Sequence, residues 1–432
     1  MNGAQRGNTS IVVAHPPSLP DKDNPLLEGL PTVPSLQEAM DMIEEQYLDF
    51  DVSGLSEAEI VAYQSKHAIV PNVQFANAFV QVITQVRDSC RSRDLRTFDY
   101  RNYTKSCNHF VATFPRPSFR KFPMCFGIAP GAKSRGMIVA TPAYTGRSAF
   151  ADSVQKVLGR DPSIKRVTVG ENFVDYPRLP VLRVQWPIDG KLSGFITAFV
   201  AAFDLVFDTE YSKVLSSLFF MDREYIPALC SLGNACHLGL LIVERINYEN
   251  VRTPAAELTW SAIAQFTRST GIPVLCLPTP GAALTLSTLT GSRSDLTAAG
   301  VTEIMRPLSA QANHWKYICA VQFDATLGAI GLGSMPEWLP DSAYTLTLGY
   351  PGLLAKVLTY IAQNLLSMNT SGFDQKTFEK YGGRALVLEQ PHLDAVRTIR
   401  RKGAFKPSTL LRHADWLSFD ELAPTHLKPE LQ

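Results

Sequence analysis

The chain has 432 residues, 45% of them hydrophobic and 19% charged, with a formal net charge of +1. That length allows two or three domains, and the near-neutral balance excludes a molecule drawn to nucleic acid by bulk charge. Seven cysteines without a CxxC spacing argue against a zinc module or a disulfide framework, and no apolar run of about 18 residues is present to span a bilayer, so a cytoplasmic protein is expected.

Residues 1 to about 34 are rich in Pro, Gly, Asn and Asp and read as an extended arm. Within it, Asp23-Asn24-Pro25-Leu26-Leu27-Glu28-Gly29-Leu30-Pro31 is an apolar island, either a docking peptide or a strap on its own domain. From Ser35 to about Arg93 the apolar spacing is helical: Leu36, Met40, Ile43 and Tyr47 share one face, and Phe75, Phe79, Val82, Ile83 and Val86 another. Residues 91 to 135 interleave Arg91, Arg93, Arg96, Arg101, Arg116, Arg120, Lys121, Lys133 and Arg135 with Phe98, Tyr100, Tyr103, Phe114, Phe119 and Phe122. Such a mixture can grip a phosphate backbone, and Arg116, Arg120 and Lys121 are the DNA-binding candidates; the alternative is a solvated connector.

Gly136 to Ser148 reads as strand, loop and helix. Met137–Ala140 is short and apolar, Thr-Pro-Ala-Tyr-Thr-Gly is a turn, and Phe150, Val154, Val157 and Leu158 follow with helical spacing. A phosphate-binding loop has this layout and the pattern G-x-x-x-x-G-K-[ST], in which backbone N–H groups wrap the phosphates, the Lys neutralises them and the hydroxyl holds Mg2+. Here the frame is Thr141-x-x-x-x-Gly146-Arg147-Ser148, so the second Gly and the hydroxyl are present while the first Gly and the Lys are not.

Strand-like and helix-like patterns then alternate, the signature of a parallel sheet covered by helices. The expected strands are Lys165–Val169, Val181–Trp186, Leu238–Val243 and Ile272–Leu277; the expected helices are Leu192–Phe207, Tyr211–Phe220, Ile226–Cys236 and Ala255–Thr267. From Pro336 to about Lys402 the pattern is mostly helical, with Leu353, Leu354, Val357, Leu358 and Ile361 on one face, and a polar tail ends the chain.

A phosphate loop needs a later strand ending in an acidic pair, one carboxylate for the metal shell and one to orient the attacking water. The apolar run Leu238–Val243 leads to Glu244, but Arg245 follows, and an arginine cannot act as a base. One strand later, Thr279 could place a hydroxyl beside the terminal phosphate.

Leu238 to Asn247 resembles a segment of the TnsC/TniB family of AAA+ transposition regulators, and Gly271-Ile272-Pro273-Val274-Leu275 with Thr279-Pro280 resembles that family's next strand. Val181–Trp186 with Asp189–Leu192, the Asp23–Pro31 island, Gly349 with Lys356-Val357-Leu358, and His392–Arg397 are similar to further family segments, in order from about residue 21 to 416. The resemblance implies an α/β fold: a P-loop AAA+ parallel-sheet domain with a helical N-terminal module and a C-terminal helical lid. The expected divisions are an arm at 1–34, a helical module at 35–104, the α/β domain at 105–335, the lid at 336–402 and a tail at 403–432.

It also implies ATP and Mg2+ at Thr141, Gly146, Arg147, Ser148, Glu244 and Thr279, with Ser148 and Glu244 toward the metal, and as partners duplex DNA, a transposase, a target selector and further copies of the chain in a ring or filament. The departures fall on the chemistry. Arg147 replaces a compact ammonium with a planar guanidinium, Glu244 is one methylene longer than the family's Asp, and Arg245 removes the water-orienting carboxylate, a loss worth roughly 3 to 5 kcal/mol of barrier. A regulator or adaptor with little or no ATP hydrolysis is therefore expected. Two alternatives stay open: an active switch using Arg147 and an outlying carboxylate such as Glu249, or an interaction-only partner of an active paralogue. Arg293 and Arg306 read either as trans-acting arginines or as plain surface or salt-bridged residues, and Arg397, Arg400, Arg401 and Lys402 as a further basic cluster where DNA or a partner could bind.

Overall fold

In the computed structural model, the described residues are 21–44, 51–113, 127–169, 171–213, 222–370, 372–401 and 407–426. Four helices come first, at Leu36–Glu44, Glu57–His67, Val73–Ser92 and Phe98–Thr113. Ser56 and Glu59 close a capping box at the second, which fixes its start. The Asp23–Pro31 island is a strap, because Leu26 and Leu27 are buried in a shared core with the 73–92 helix and Asn24 Nδ2 donates to the Cys90 carbonyl at 3.0 Å.

The main sheet has five parallel strands. They are β1 (Gly136–Ala140), β4 (Val181–Gln185), β5 (Leu240–Ile246), β6 (Val274–Pro278) and β7 (Val301–Glu303), in the spatial order β4-β5-β6-β1-β7. The chain leaves β1 toward the far edge at β4 and returns through β5 and β6. It then crosses to β7 on the other side of β1, so a crevice opens at the carboxyl ends of these strands. A phosphate-loop strand flanked in this order is the P-loop AAA+ arrangement, and the α/β fold class expected from the sequence holds.

Alternate residues of each strand enter different cores, as a strand buried on both faces requires. Ile138, Leu182, Val184, Leu241, Val243, Val274 and Cys276 pack with the helices Leu192–Phe207, Asp222–Ala235 and Pro254–Thr270. Met137, Val139, Val181, Leu240, Ile242, Leu275 and Leu277 pack with the N-terminal helices and with the helix Arg147–Leu158. Pro254 at the first position and Gly271 in the left-handed conformation at the end delimit the 254–270 helix. A third core joins the helix Asn313–Asp324, expected in the α/β domain, to the lid helices Leu339–Thr347, Pro351–Ser367, Gln375–Ala385 and Gln390–Arg400. Val61 of the N-terminal helices and Leu410, Ala414, Trp416, Leu417 and Leu422 of the C-terminal segment share it.

Several expectations change. Lys165–Val169 lies in β2 (Ser163–Val169), which pairs antiparallel with β3 (Asn172–Arg178) as a separate hairpin instead of joining the parallel sheet. Ile164, Phe173 and Val174 of this hairpin are exposed while Val167 and Tyr176 are buried, so it does not have two covered faces as the main sheet does. Strand β7 is three residues long and too brief to give a periodic signal. Residues 91–101 pass from the 73–92 helix to the 98–113 helix, and their arginines are bonded inside the molecule: Arg93 is buried, Arg91 pairs with Asp21, and Arg96 pairs with Asp94. Arg135 pairs with Asp88 at 2.7 Å. Arg116, Arg120 and Lys121 lie outside the described residues, as does most of Tyr211–Phe220. Among the described residues no helix is long and apolar enough to cross a membrane.

Candidate functional site

The loop after β1 sits at the mouth of the crevice. Thr141 N–H donates to the Pro278 carbonyl at 2.9 Å and its side chain is buried, turned back to the Val139 carbonyl. That hydroxyl therefore serves the strand, where the first Gly of a phosphate loop would leave the backbone open. Gly146 has φ +100°, the left-handed conformation that favours glycine, and caps the 147–158 helix without a side-chain bond. Tyr144 also has positive φ, at 59°, and its carbonyl accepts from the N–H of Gly352 on the lid at 2.8 Å. A Cβ on Gly352 would sit 2.9 Å from that oxygen, so glycine is needed there.

Arg147 reaches across the carboxyl end of the sheet and donates to the Ile246 carbonyl at 3.2 Å. Burial holds its guanidinium below the ordinary arginine value, while the Asp415 and Glu244 carboxylates favour its charge and Arg245 opposes it. Arginine stays protonated under these conditions, so the loop keeps one fixed cation. Ser148, one residue on, is exposed.

Glu244 does stand at the end of β5, opposite Gln185 of β4. Both of its oxygens are held by Arg183, Oε1 at 2.6 Å from Nη2 and Oε2 at 3.3 Å from Nε. Arg183 also donates to Asp152 at 2.5 Å and to Gln155 at 3.1 Å on the 147–158 helix. Burial works against the Arg183 charge, but the bonds to Glu244 and Asp152 raise its pKa above the ordinary value. The next residue, Arg245, has φ 57° and lies where the register of β5 against β6 slips, so its exposed side chain turns off the strand. A metal shell needs free oxygen donors, and here one carboxylate is already doubly bound and its neighbour is a cation. The donor set does not fit Mg2+. Among the described residues no group of three His, Cys, Asp or Glu side chains is placed to hold a metal ion.

Thr279 is buried at the end of β6 and accepts from Ala282 N–H at 3.3 Å as the cap of the short helix Pro280–Leu284. Its hydroxyl donates to Asp415 Oδ1 at 2.5 Å. The same oxygen accepts from Tyr248 N–H at 2.7 Å, and the Asp415 carbonyl accepts from Ala143 N–H of the loop at 2.7 Å. The chain's own C-terminal segment thus occupies the middle of the crevice. Trp416 follows, its ring 5.1 Å from Tyr144 and stacked at 4.8 Å on His392.

Beyond Gly146 a cavity of about 150 Å3 opens between the N-terminal helices and the lid, lined by Ile69, Val70, Phe75, Ile304, Ile318 and Gln322 among others. A larger cavity of about 400 Å3 lies elsewhere, beside Trp260, Leu284 and Leu411, and includes none of the loop residues.

The crevice brings Thr141, Gly146, Arg147, Glu244 and Thr279 to one edge of the sheet. Glu249 does not join them, being exposed and paired with Arg252 at 2.9 Å. Arg306 is buried against Glu421 at 2.7 Å and over the Tyr350 ring, and Arg293 donates to the Ser287 carbonyl, so both are bonded within the chain. Arg397 pairs with Asp394, and Arg400 bonds Tyr344 and Glu421. Arg183, Asp415 and Trp416 were not singled out by the sequence. An Ala-Asp-Trp step in a polar tail is the one signal that could have pointed to the segment.

No protein-family model matches the sequence, and neither does any curated protein sequence. Among solved structures, the chain is similar to the ORC2 protein of Aeropyrum pernix in its ADPNP–ADP complexes, with 10% identity over 68% of this chain and 71% of that one and a TM-score of 0.39. It is also similar to a Walker-type ATPase of Pyrococcus abyssi, with 13% identity over 72% and 79% and a TM-score of 0.38. The fold assignment rests on strand order and loop placement.

Proposed function

We propose that the chain is a TnsC-like AAA+ adaptor of DNA transposition that works without hydrolysing ATP. The observation that carries this reading is the disarmed end of β5, where Glu244 is bound on both oxygens by Arg183 and the water-orienting position holds Arg245. With Glu244 engaged and Arg245 in the water-orienting position, no carboxylate stands free at the end of β5 to orient an attacking water, and the barrier rises by roughly 3 to 5 kcal/mol. The placement of the loop, β5 and β6 supports the nucleotide-site part of the reading. The ordered resemblance from about residue 21 to 416 supports the transposition part.

In this reading copies of the chain assemble on duplex DNA and link a target selector to a transposase. ATP, where it binds, puts its base in the cavity beside Phe75 and its phosphates toward Arg147, and serves as a structural ligand. A pocket of about 150 Å3 takes a base-sized group, below the roughly 300 Å3 or more of a whole small-ligand site.

Phosphate release by the purified chain is expected to equal that of an Arg147→Ala control. Electron microscopy with duplex DNA is expected to show ordered assemblies with or without ATP, and filter binding should fall steeply as salt rises. Turnover well above the control, or assemblies that require hydrolysable ATP, would overturn the proposal.

A further inference from the structure

The cleft is already occupied by part of the chain, and the contacts are those an anion site makes. Asp415 Oδ1 takes a backbone N–H from Tyr248 at 2.7 Å and the Thr279 hydroxyl at 2.5 Å, while the peptide carbonyl of the same residue takes the Ala143 N–H of the loop. Backbone N–H groups, a hydroxyl and a nearby guanidinium are also the donors that hold phosphate oxygens. The flanking residues are fitted as well. Ala414 is buried against Gly281, where an added Cβ would come within 2.4 Å of the Ala414 side chain and 2.8 Å of its carbonyl oxygen. Trp416 is buried between Tyr144 and His392, and its carbonyl accepts the Tyr350 hydroxyl.

We infer that the phosphate end of this cleft is a carboxylate-binding site whose ligand is the chain's own Ala414–Trp416 segment, so that the segment and a nucleoside triphosphate exclude each other. The inference rests on the proposed reading only in taking the loop at 141–148 as the nucleotide cleft. It adds how access to that cleft is governed. A tethered ligand acts at an effective concentration on the order of millimolar, so modest contacts suffice to keep out an untethered competitor. Binding of ATP then requires the segment to leave. Because Trp416, Leu417 and Leu422 belong to the lid core, its departure would loosen the lid.

The test uses the full chain and a fluorescent ATP analogue. Asp415→Ala is expected to bind the analogue at least ten-fold more tightly than the wild type. A synthetic peptide spanning 410–421, added in excess, should displace the analogue from that variant, and the same peptide carrying Asp415→Lys should not. Equal affinity of Asp415→Ala and wild type, or no binding by either, overturns the inference. Should the variant not fold, hydrogen exchange on the wild type decides: saturating ATP should deprotect 410–418, and unchanged protection overturns the inference. Turnover measured on the same samples keeps the two claims apart, since brisk hydrolysis by Asp415→Ala would sink the non-hydrolysing reading and leave the exclusion standing.

Discussion

The two ends of the cleft differ in what fills them. The end beside Phe75, Ile69, Val70 and Ile318 is mostly apolar and keeps about 150 Å3 open, whereas the end beside Thr279, Tyr248 and Ala143 is closed by Asp415. The difference follows from what each surface costs when nothing is bound. The apolar part of this hollow, around Ile69, Val70, Phe75 and Ile318, can stay empty because those side chains have no donors to satisfy. A cluster of N–H and O–H donors out of water costs about 1 to 3 kcal/mol for each one left without an acceptor. A phosphate end that is not held by phosphate therefore needs another anion, and the C-terminal segment supplies it.

The largest effect expected from a single titration lies away from both ends and sets the conditions under which they can be compared. His237 is buried, its Nδ1 at 2.9 Å from the Pro177 carbonyl, and burial lowers its pKa from 6.5 to about 4, with Arg93 and Arg178 adding to the shift. Below pH 6.5 the unfolded chain gains a proton that the folded chain refuses, so stability present above 6.5 is lost as pH falls toward 4. At about 1.4 kcal/mol per pH unit the loss reaches about 3 kcal/mol. Melting curves should fall over that window, and a His237→Phe variant should fall less. A flat wild-type profile would refute the assignment, and a displacement experiment run at pH 5 would confuse this loss with release of the Ala414–Trp416 segment.

The next largest effect separates the ends directly. Gly281→Val puts a side chain into Ala414, and overpacking of this kind costs about 2 kcal/mol. Urea denaturation should show that loss, with hydrogen exchange rising at 410–418 and protection around Phe75 unchanged. Gly291, whose added Cβ would meet nothing within 4 Å, provides the control, since Gly291→Ala should be neutral. Equal loss of protection at both ends would mean that they form one cooperative unit, and the comparison would fail.

Most of the scaffold was legible in the sequence because both covered faces of a parallel sheet leave continuous apolar runs, as at Met137–Ala140, Leu240–Val243 and Val274–Leu277. The Phe stripe of Leu192–Phe207 gave its helix to the residue. The departures at Thr141 and Arg147 in the loop and at Arg245 in β5 were also readable, since each is a change of residue type within a fixed frame. Strand β7 was hidden by its brevity, and the β2–β3 pairing because Lys165–Val169 reads as a strand without saying which strand it pairs with. Apart from the Ala-Asp-Trp step, the filling of the site was not readable. Arg183 lies 61 positions from Glu244 and Asp415 lies 136 from Thr279, and no local pattern encodes such partners.

The smallest effect bears on why the phosphate end is silent. Arg183→Met removes an ion pair whose side chains are 23% and 13% exposed, and charged hydrogen bonds of this kind are worth about 1.5 kcal/mol at the low end of their range. The melting temperature should fall modestly and Glu244 should be freed toward the crevice. Turnover should nevertheless stay at the Arg147→Ala level, because Arg245 still supplies no base. Adding Arg245→Glu to Arg183→Met, in the Asp415→Ala background, restores two free carboxylates and an open site together. A rise of ten-fold or more in phosphate release only in that combination would show that the ion pair and Arg245 jointly hold the chemistry off. A comparable rise in Arg183→Met alone would place the block at Glu244 and leave Arg245 a bystander.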